Sequence, residues 1–383
     1  MLKRRTSSPR EFNRILFWEP CLSPHKADFL EEFSKINPHL EVICCADQDL
    51  PEDRKNMGWT VPTPKHYRNI VAPDDHLISE ISSHNPLTTL HIFSGIRWIP
   101  TLVKGMVAAR SHNSQYMIMS EPREKNGISG KLRLLQSWMT EGYHRRNAAA
   151  ILAIGRNGPP WFKAAGYSAS KIIPFAYFLP PSSIAPTVSN NLGKLRIGFL
   201  GRLVKMKGVY DIVDSVKLLG ENASIHIAGS GPEEEALKIR CRAEGIESKF
   251  YGILAISEIG NFFSNIDVLV LASTNKDGWG AVVSEALMAG VPVIATPMVG
   301  ASILLKNNIF GRCVISGSST AIRDAVFDLK NTGNLAFDVR HTRAETAKQI
   351  LSANAGALYL TEVVSWIEGK TKRPQNFYSK VDV

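Results

Sequence analysis

No apolar run in this sequence approaches the roughly 18 consecutive residues that a membrane-crossing helix needs, so a helical span is not expected. The basic opening MLKRRTSSPREF is followed by no apolar stretch of the kind a secretory signal carries. Cysteine is scarce: Cys21, Cys44, Cys45, Cys241 and Cys313 form no Cys-x-x-Cys pair and no metal-ligand spacing. An odd, scattered set of this kind reads as reduced thiols in a cytoplasmic protein. Low-complexity tracts and short repeats are also missing, and the 44% apolar fraction argues against disorder over most of the length.

What is present is length and positive charge. A chain of 383 residues exceeds one ordinary core and implies two domains. The net charge of +10 is unevenly spread: between Arg97 and Lys171, twelve Lys or Arg face only Glu121, Glu124 and Glu141. Such a patch suits a phosphorylated substrate, an anionic membrane surface or nucleic acid, or it is a plain solvated basic face.

Strand-like and helix-like segments alternate through both halves, the pattern of parallel βαβ units. RILFWEP (14–20), LEVICCAD (40–47), TTLHIFS (88–94), QYMIMSE (115–121), AAAILAIG (148–155) and KIIPFAYF (171–178) read as strands of a first domain, 1–180. The Pro/Ser/Asn-rich stretch over 181–194 reads as a linker. LRIGFLGR, ASIHIAGS, SKFYGI, DVLVLAS and VPVIAT then build a second domain, 195–355. A C-terminal helix and tail, 356–383, is expected to return toward the first. The fold class is therefore α/β: two Rossmann-like, doubly wound parallel-sheet domains facing each other across a cleft, with ligands at the carboxyl ends of the strands.

Three motifs in the second half carry chemistry. In GFLGRLVKMKG a strand runs into the Gly201-Arg202 turn, and Lys207 precedes the next helix. A helix start with an added guanidinium and ammonium suits a diphosphate, although a strand–turn–helix with surface cations reads the same way. The Walker order is absent. In IAGSGPEEEAL, Gly229 and Gly231 permit close approach to a ligand or simply punctuate the chain. In DGWGAVVSEALMAGVPVIAT, Asp277 and Glu285 stand eight positions apart around a Gly278-Trp279-Gly280 turn. Carboxylates can grip vicinal hydroxyls that donate to them, and the plainer reading is a capping aspartate with a solvated glutamate.

Taken in order, Gly-Arg-Leu…Lys-Gly, Gly-Ser-Gly-Pro, Phe-Tyr-Gly and acid-x-x-Gly-x-x-x-x-Glu-Ala-x-x-x-Gly-x-Pro-Val-Ile-Ala resemble the retaining family 4 glycosyltransferases of GT-B fold, over about 195–315. The resemblance implies that Arg202 and Lys207 bind a donor diphosphate, that Glu285 holds the nucleotide ribose, and that Asp277 contacts the donor sugar. It places Gly201, Gly229, Gly231, Leu254, Gly278, Trp279, Gly280 and Val282 around the donor. Asp277 departs from the family's usual glutamate and Trp279 from its usual phenylalanine, so the donor sugar or its seating is expected to differ. No cofactor and no essential metal are implied.

The N-terminal half resembles that family in architecture alone. Its first loop, EPCLSPHKADF, lacks the family's paired glycines and carries His25, which either faces the cleft or lies on the surface. Glu121 ends the strand QYMIMSE, at the cleft edge, and is singled out for the acceptor or the reacting centre, or else as a helix-start carboxylate. Asp47-Gln48-Asp49 has the form of a metal-binding Asp-x-Asp, but lies far from the donor motifs. In GKLRLLQSWMTEGYHRRN, Leu132, Leu135, Met139 and Tyr143 recur at helical spacing. A core-packed helix is the default reading, and a basic amphipathic face on an anionic membrane the alternative.

The expectation is a retaining glycosyltransferase that moves a sugar from a nucleoside-diphosphate sugar to a hydroxyl of a glycan or lipid-linked glycan in surface polysaccharide assembly. It would be cytoplasmic, in peripheral contact with the anionic inner face of the membrane, with no nucleic-acid partner. A nucleotide-sugar epimerase of the same fold and a non-catalytic glycan-binding module are the alternatives.

Overall fold

In the computed structural model, which describes residues 11–56, 58–124, 127–181 and 194–381, the alternating apolar runs become two parallel sheets. The first contains β1 (Arg14–Glu19), β2 (Glu41–Ala46), β3 (Arg68–Val71), β4 (Thr89–Ser94), β5 (Gln115–Ser120), β6 (Ala150–Ile154) and β7 (Ile172–Phe175), in the order β3-β2-β1-β4-β5-β6-β7. The second contains β8 (Leu195–Leu200), β9 (Ala223–Ala228), β10 (Ser248–Gly252), β11 (Val268–Leu271), β12 (Val293–Ala295) and β13 (Gly311–Cys313), in the order β10-β9-β8-β11-β12-β13. Strand order reverses beside β1/β4 in one sheet and beside β8/β11 in the other. Crevices open at such switch points, beyond the carboxyl ends of the strands.

Two strands were not legible. β3, RNIV, lies at the sheet edge with its ends exposed, and β13 spans only three residues. Neither has the buried apolar run that marks the inner strands. The expected linker, apart from Pro181 and Lys194, lies outside the described residues, as does the basic N-terminus up to Arg10.

The two halves touch directly. The Arg156 amide donates to the Gly300 carbonyl at 2.8 Å, and the Asn157 side-chain amide to the Pro297 carbonyl at 2.9 Å. Gly155 has φ +73°, and a Cβ there would sit 2.7 Å from the Gly300 Cα, so only glycine permits this approach. The helix Ala353–Ile367 lies against the helix Pro24–Ile36 of the first half. Asn37 Nδ2 donates to Thr361 Oγ1 at 2.8 Å, and the Phe12 amide to Glu368 Oε1 at 2.8 Å.

The segment 130–147 departs from the core-packed reading. It forms two helices, Gly127–Thr140 and Gly142–Asn147, broken at Glu141. The inward positions are Gly130, Leu134 and Ser137, whereas Leu132, Leu135 and Met139 are exposed. Glu141 is buried, and its carboxylate takes Arg97 at 2.5 Å, Arg123 at 2.6 Å, Ser137 Oγ at 2.6 Å and Tyr167 OH at 2.9 Å. That polar anchor ties this part of the chain down, together with Leu134 and Tyr143, which pack against the core as expected for Tyr143.

Candidate active site

Close backbone approach builds the donor-side crevice. Gly208 (φ +69°) begins the helix Val209–Leu219, and an added Cβ would meet the Ala272 carbonyl oxygen, beyond the end of β11. The Thr274 amide donates to the Met206 carbonyl at 2.9 Å, fastening the loop after β11 to the turn before that helix. Lys207 and Asp277, seventy positions apart, are thereby brought to 2.5 Å, with Ser273 Oγ donating to the same aspartate oxygen at 2.8 Å. Gly201 and Gly229 pass equally close, since a Cβ on Gly229 would strike the Gly201 carbonyl oxygen. Gly231 approaches the Leu203 carbonyl in the same way. The glycine turns that sequence reading left between ligand approach and punctuation are here required for backbone crossing.

The helix Ala281–Met288 starts at Gly280, in the left-handed region at φ +80°. Neither this helix nor Val209–Leu219 has a side-chain cap, so apart from the Val283 amide, which donates to the Gly280 carbonyl at 2.9 Å, their leading N–H groups remain available to an anion. Arg202, in the turn between β8 and Val209–Leu219, is exposed and has no side-chain partner among the described residues. The turn 277–280 is held from beneath. The Asp277 amide donates to Met298, and Gly278 and Trp279 accept from the amides of Gly300 and Ala301.

Trp279 corrects an expectation. Its indole is fully buried, donates to Ser284 Oγ at 2.8 Å and packs on Phe377, so the ring does not face a donor. Its backbone amide does face the cleft. There it donates to Glu121 Oε1 at 3.1 Å, across from the other half of the molecule. Tyr177 OH donates to the same oxygen at 2.7 Å. A Cβ on Gly278 would collide with that carboxylate. Glu121 is therefore a cross-cleft group and not a helix-start carboxylate. Lys276 lies near it, with its ammonium pKa lowered chiefly by burial.

Two cavities share His25 as a wall. One, of about 380 Å³, opens at the ends of β1, β4 and β5 and is lined by Glu19, Lys26, Phe29, Met119, Glu121 and Tyr177 among others. Its Glu19–Lys26 ion pair, 2.9 Å long, is nearly buried. The other, of about 250 Å³, lies between Pro24, His25 and Asp28 of the first half and Ile256, Gly260 and Glu285 of the second. His25 meets Trp59 edge-on, and burial pushes its pKa down to about 4, so it is neutral near pH 7. Burial also pushes the Glu285 carboxyl up to about 7, and no hydrogen bond ties its side chain to another described residue. Leu254 and Val282 are half-buried flanks of this side.

Asp47 accepts from the Thr101 amide at 3.1 Å and Asp49 pairs with Lys55 at 3.2 Å, so the Asp-x-Asp serves local structure. Among the described residues, no group of three His, Cys, Asp or Glu could hold a metal ion, and no helix is long and apolar enough to cross a membrane.

Residues 184–349 match the family described as "Glycosyl transferases group 1". That match covers about two-fifths of the chain, and over this segment the chain is similar to the family. Among its relatives, the capsular polysaccharide biosynthesis glycosyltransferase CapM of Staphylococcus aureus is 29% identical over 157 residues, 38% of this chain and 39% of that protein. The 2-deoxystreptamine N-acetyl-D-glucosaminyltransferase of Niallia circulans is 25% identical over 166 residues, 42% of each chain. The match thus spans about two-fifths of the length of these curated relatives. In architecture the likeness extends further. Anabaena HepE, solved with UDP, superposes with a TM-score of 0.70 over 92% of this chain and all of that one, at 16% identity. Sucrose-phosphate synthase of Thermosynechococcus elongatus gives 0.67 over 94% of this chain, at 14% identity. The matched segment thus sits in a GT-B fold, as the strand pattern and motif order led one to expect.

Two groups at this site, Tyr177 and Lys276, carry no signal that the motifs picked out, whereas Ser273 ends the run Asp267-x-x-x-x-x-Ser273. Tyr177 sat inside an apolar run read as strand, but β7 stops at Phe175 and the tyrosine turns into the cleft. No pattern in the chain marks Lys276.

Proposed function

We propose that this protein is a retaining glycosyltransferase that moves a sugar from a nucleoside-diphosphate sugar to a hydroxyl of a glycan or lipid-linked glycan in surface polysaccharide assembly. The observation that carries the reading is the Lys207–Asp277 pair, set beside two uncapped helix starts and faced across the cleft by Glu121. In this reading the ribose and base occupy the cavity beside Glu285, and the diphosphate lies against Arg202, Lys207 and the leading amides of Val209–Leu219. On donor binding, the Lys207 ammonium exchanges Asp277 for a phosphate oxygen, and Asp277 is released to accept from a sugar hydroxyl. Breaking the glycosidic bond puts negative charge on the departing diphosphate, where fixed cations and helix-start amides stabilise it. Side chains supply this positive charge, and no cofactor takes part.

The acceptor in this reading occupies the cavity of the first half, with Glu121 at the junction of the two substrates. Tyr177 and the Trp279 amide hold that carboxylate in place. That HepE was solved with UDP and that CapM is named for capsular polysaccharide biosynthesis both support the reading.

A thermal-shift screen with UDP, GDP and ADP tests the donor side, and at least one is expected to raise the melting temperature, with a shift that grows with the logarithm of its concentration above Kd. No stabilisation by any of the three would overturn it. Product analysis with the stabilising nucleotide's sugars then separates transfer to an added acceptor from acceptor-independent epimerisation.

Glu285 provides a pH test. Its folded pKa of about 7 lies above its ordinary 4.5, so the folded chain binds this proton more tightly. The residue's contribution to stability therefore falls as pH rises from about 4.5 to about 7. Ribose hydroxyls donate best to the ionised form, so nucleotide affinity is expected to rise with pH through about 7. Titration calorimetry on Glu285→Gln should find a weaker affinity without that rise. An unchanged pH profile in the variant would remove Glu285 from the ribose site.

A further inference from the structure

Exposed apolar surface is concentrated in one region. Eight of the nineteen large apolar side chains exposed among the described residues fall between Trp98 and Met139. On the helix Gly127–Thr140, Ile128 (81% exposed), Leu132 (60%), Leu135 (55%) and Met139 (75%) recur at i, i+4, i+7 and i+11. That spacing makes one continuous stripe, opposite the inward Gly130 and Ser137. Trp98, 82% exposed, lies near the helix end, where its neighbour Arg97 bonds Thr140 Oγ1. Val103 and Val107, a turn apart on the next helix, Pro100–Ser111, are also exposed.

Positive charge predominates around this surface, where Asp75 is paired with Lys104 and Glu124 precedes the helix. The helix carries no acid, and Lys131 and Arg133 on it are exposed, as are Arg110, Arg146 and Lys163 on neighbouring elements. Glu141, which lies at its end, is buried and neutralised by Arg97 and Arg123. The geometry points to an anionic lipid bilayer as the partner: we propose that the helix Gly127–Thr140 docks the N-terminal half on such a membrane, its stripe entering the headgroup–acyl boundary and its cations meeting lipid phosphates. A second copy of the same face would bring cation against cation, and a nucleic acid would leave the aliphatic stripe in water. Anchoring is firm, since Trp138 is held by its indole donating to the Ala164 carbonyl at 3.0 Å, with the Arg145 guanidinium over the ring.

Docking would also place the site. Glu121 precedes this helix by six positions, and Arg133 lies within electrostatic range of Lys276 in the donor-side loop. The cleft mouth therefore opens beside the docked helix, where a hydroxyl on a lipid-linked glycan would arrive. The docking itself does not depend on the glycosyl-transfer reading.

Co-sedimentation of the full chain with phosphatidylcholine vesicles, with and without phosphatidylglycerol, tests the proposal. Binding to the anionic vesicles is expected to exceed binding to the neutral ones by about tenfold or more and to fall with added salt. The double variant Leu132→Asp/Met139→Asp, at two exposed positions, should keep the melting temperature of the parent and lose at least about tenfold in vesicle binding. Undiminished binding by that variant would overturn the assignment. So would concentration-dependent self-association of the parent, abolished in the variant, with no vesicle binding. Failure of the nucleotide screen with vesicle binding intact would sink the transferase reading and leave the docking surface standing.

Discussion

Arg202→Ala is expected to cut donor turnover by about 10²–10³-fold while leaving the melting temperature unchanged, because in the proposed reading its guanidinium meets the donor diphosphate and it supports nothing in the fold. The side chain is exposed and bonds to no described residue, so its removal uncovers no buried group and breaks no ion pair. A cation held at the mouth of an anion site without structural employment matters only when the anion is there. As the sugar leaves, the diphosphate gains charge, and one fixed donor aimed at that charge contributes on the order of 3–4 kcal/mol to the barrier. Lys207→Ala should lose a similar factor for a mixed reason. It removes the second cation, and it also leaves Asp277, only 13% exposed, with Ser273 as its remaining partner. Its melting temperature should therefore fall, where that of Arg202→Ala does not. Measuring transfer rate and thermal stability on both variants decides the matter. A less than threefold loss in Arg202→Ala would exclude this residue from the diphosphate site.

Glu141→Ala should produce the largest loss of stability, about 3–5 kcal/mol by the behaviour of broken buried ion pairs. Four groups converge on that carboxylate: Arg97, Arg123, Ser137 and Tyr167. Alanine would leave two guanidiniums facing each other, 17% and 24% exposed, with nothing between them. Urea denaturation followed by near-ultraviolet circular dichroism would read the loss, with the unfolding of the first half preceding that of the second. Glu141→Gln, which keeps acceptor capacity and shape, should lose less than alanine does. If alanine costs under about 1 kcal/mol, the cluster is a surface-like pair and not a structural anchor. Vesicle binding should weaken along with stability, since this anchor seats the helix whose exposed stripe meets the lipid.

The parts of the molecule legible in the sequence were those where chemistry and spacing coincide. Inner strands were readable because a strand buried on both faces needs an unbroken apolar run, as in RILFWE, which is buried throughout. Edge strands β3 and β13 carry no such obligation and were missed. The same limit governed the helix of 127–140. Helical spacing of Leu132, Leu135 and Met139 was visible, but spacing reports only that residues share a face. Which side that face looks toward depends on what packs against the helix, and here the core took Gly130, Leu134 and Ser137 instead. Trp279 illustrates the converse. Its place in the motif was correct, but a large ring beside the apolar Phe377 gains more by burial than by facing a wet cleft, leaving only the amide for the site.

By itself, then, the sequence determined the α/β class and the motif order of the second half, and it singled out Arg202, Lys207, Asp277 and Glu285 as candidates. Each of these is written in local pattern: apolar period, glycine at a turn, charge at a helix start. Only the tertiary structure decided that Lys207 and Asp277 form a pair, because their approach depends on the Gly208–Ala272 crossing of two distant segments. Only it decided that Glu121 reaches the Trp279 amide with Tyr177 behind it, a contact spanning 158 positions that no one-dimensional signal encodes. And only it turned the Leu132–Met139 stripe outward, because direction belongs to the packing of a helix, and its periodicity is the same whichever way it faces.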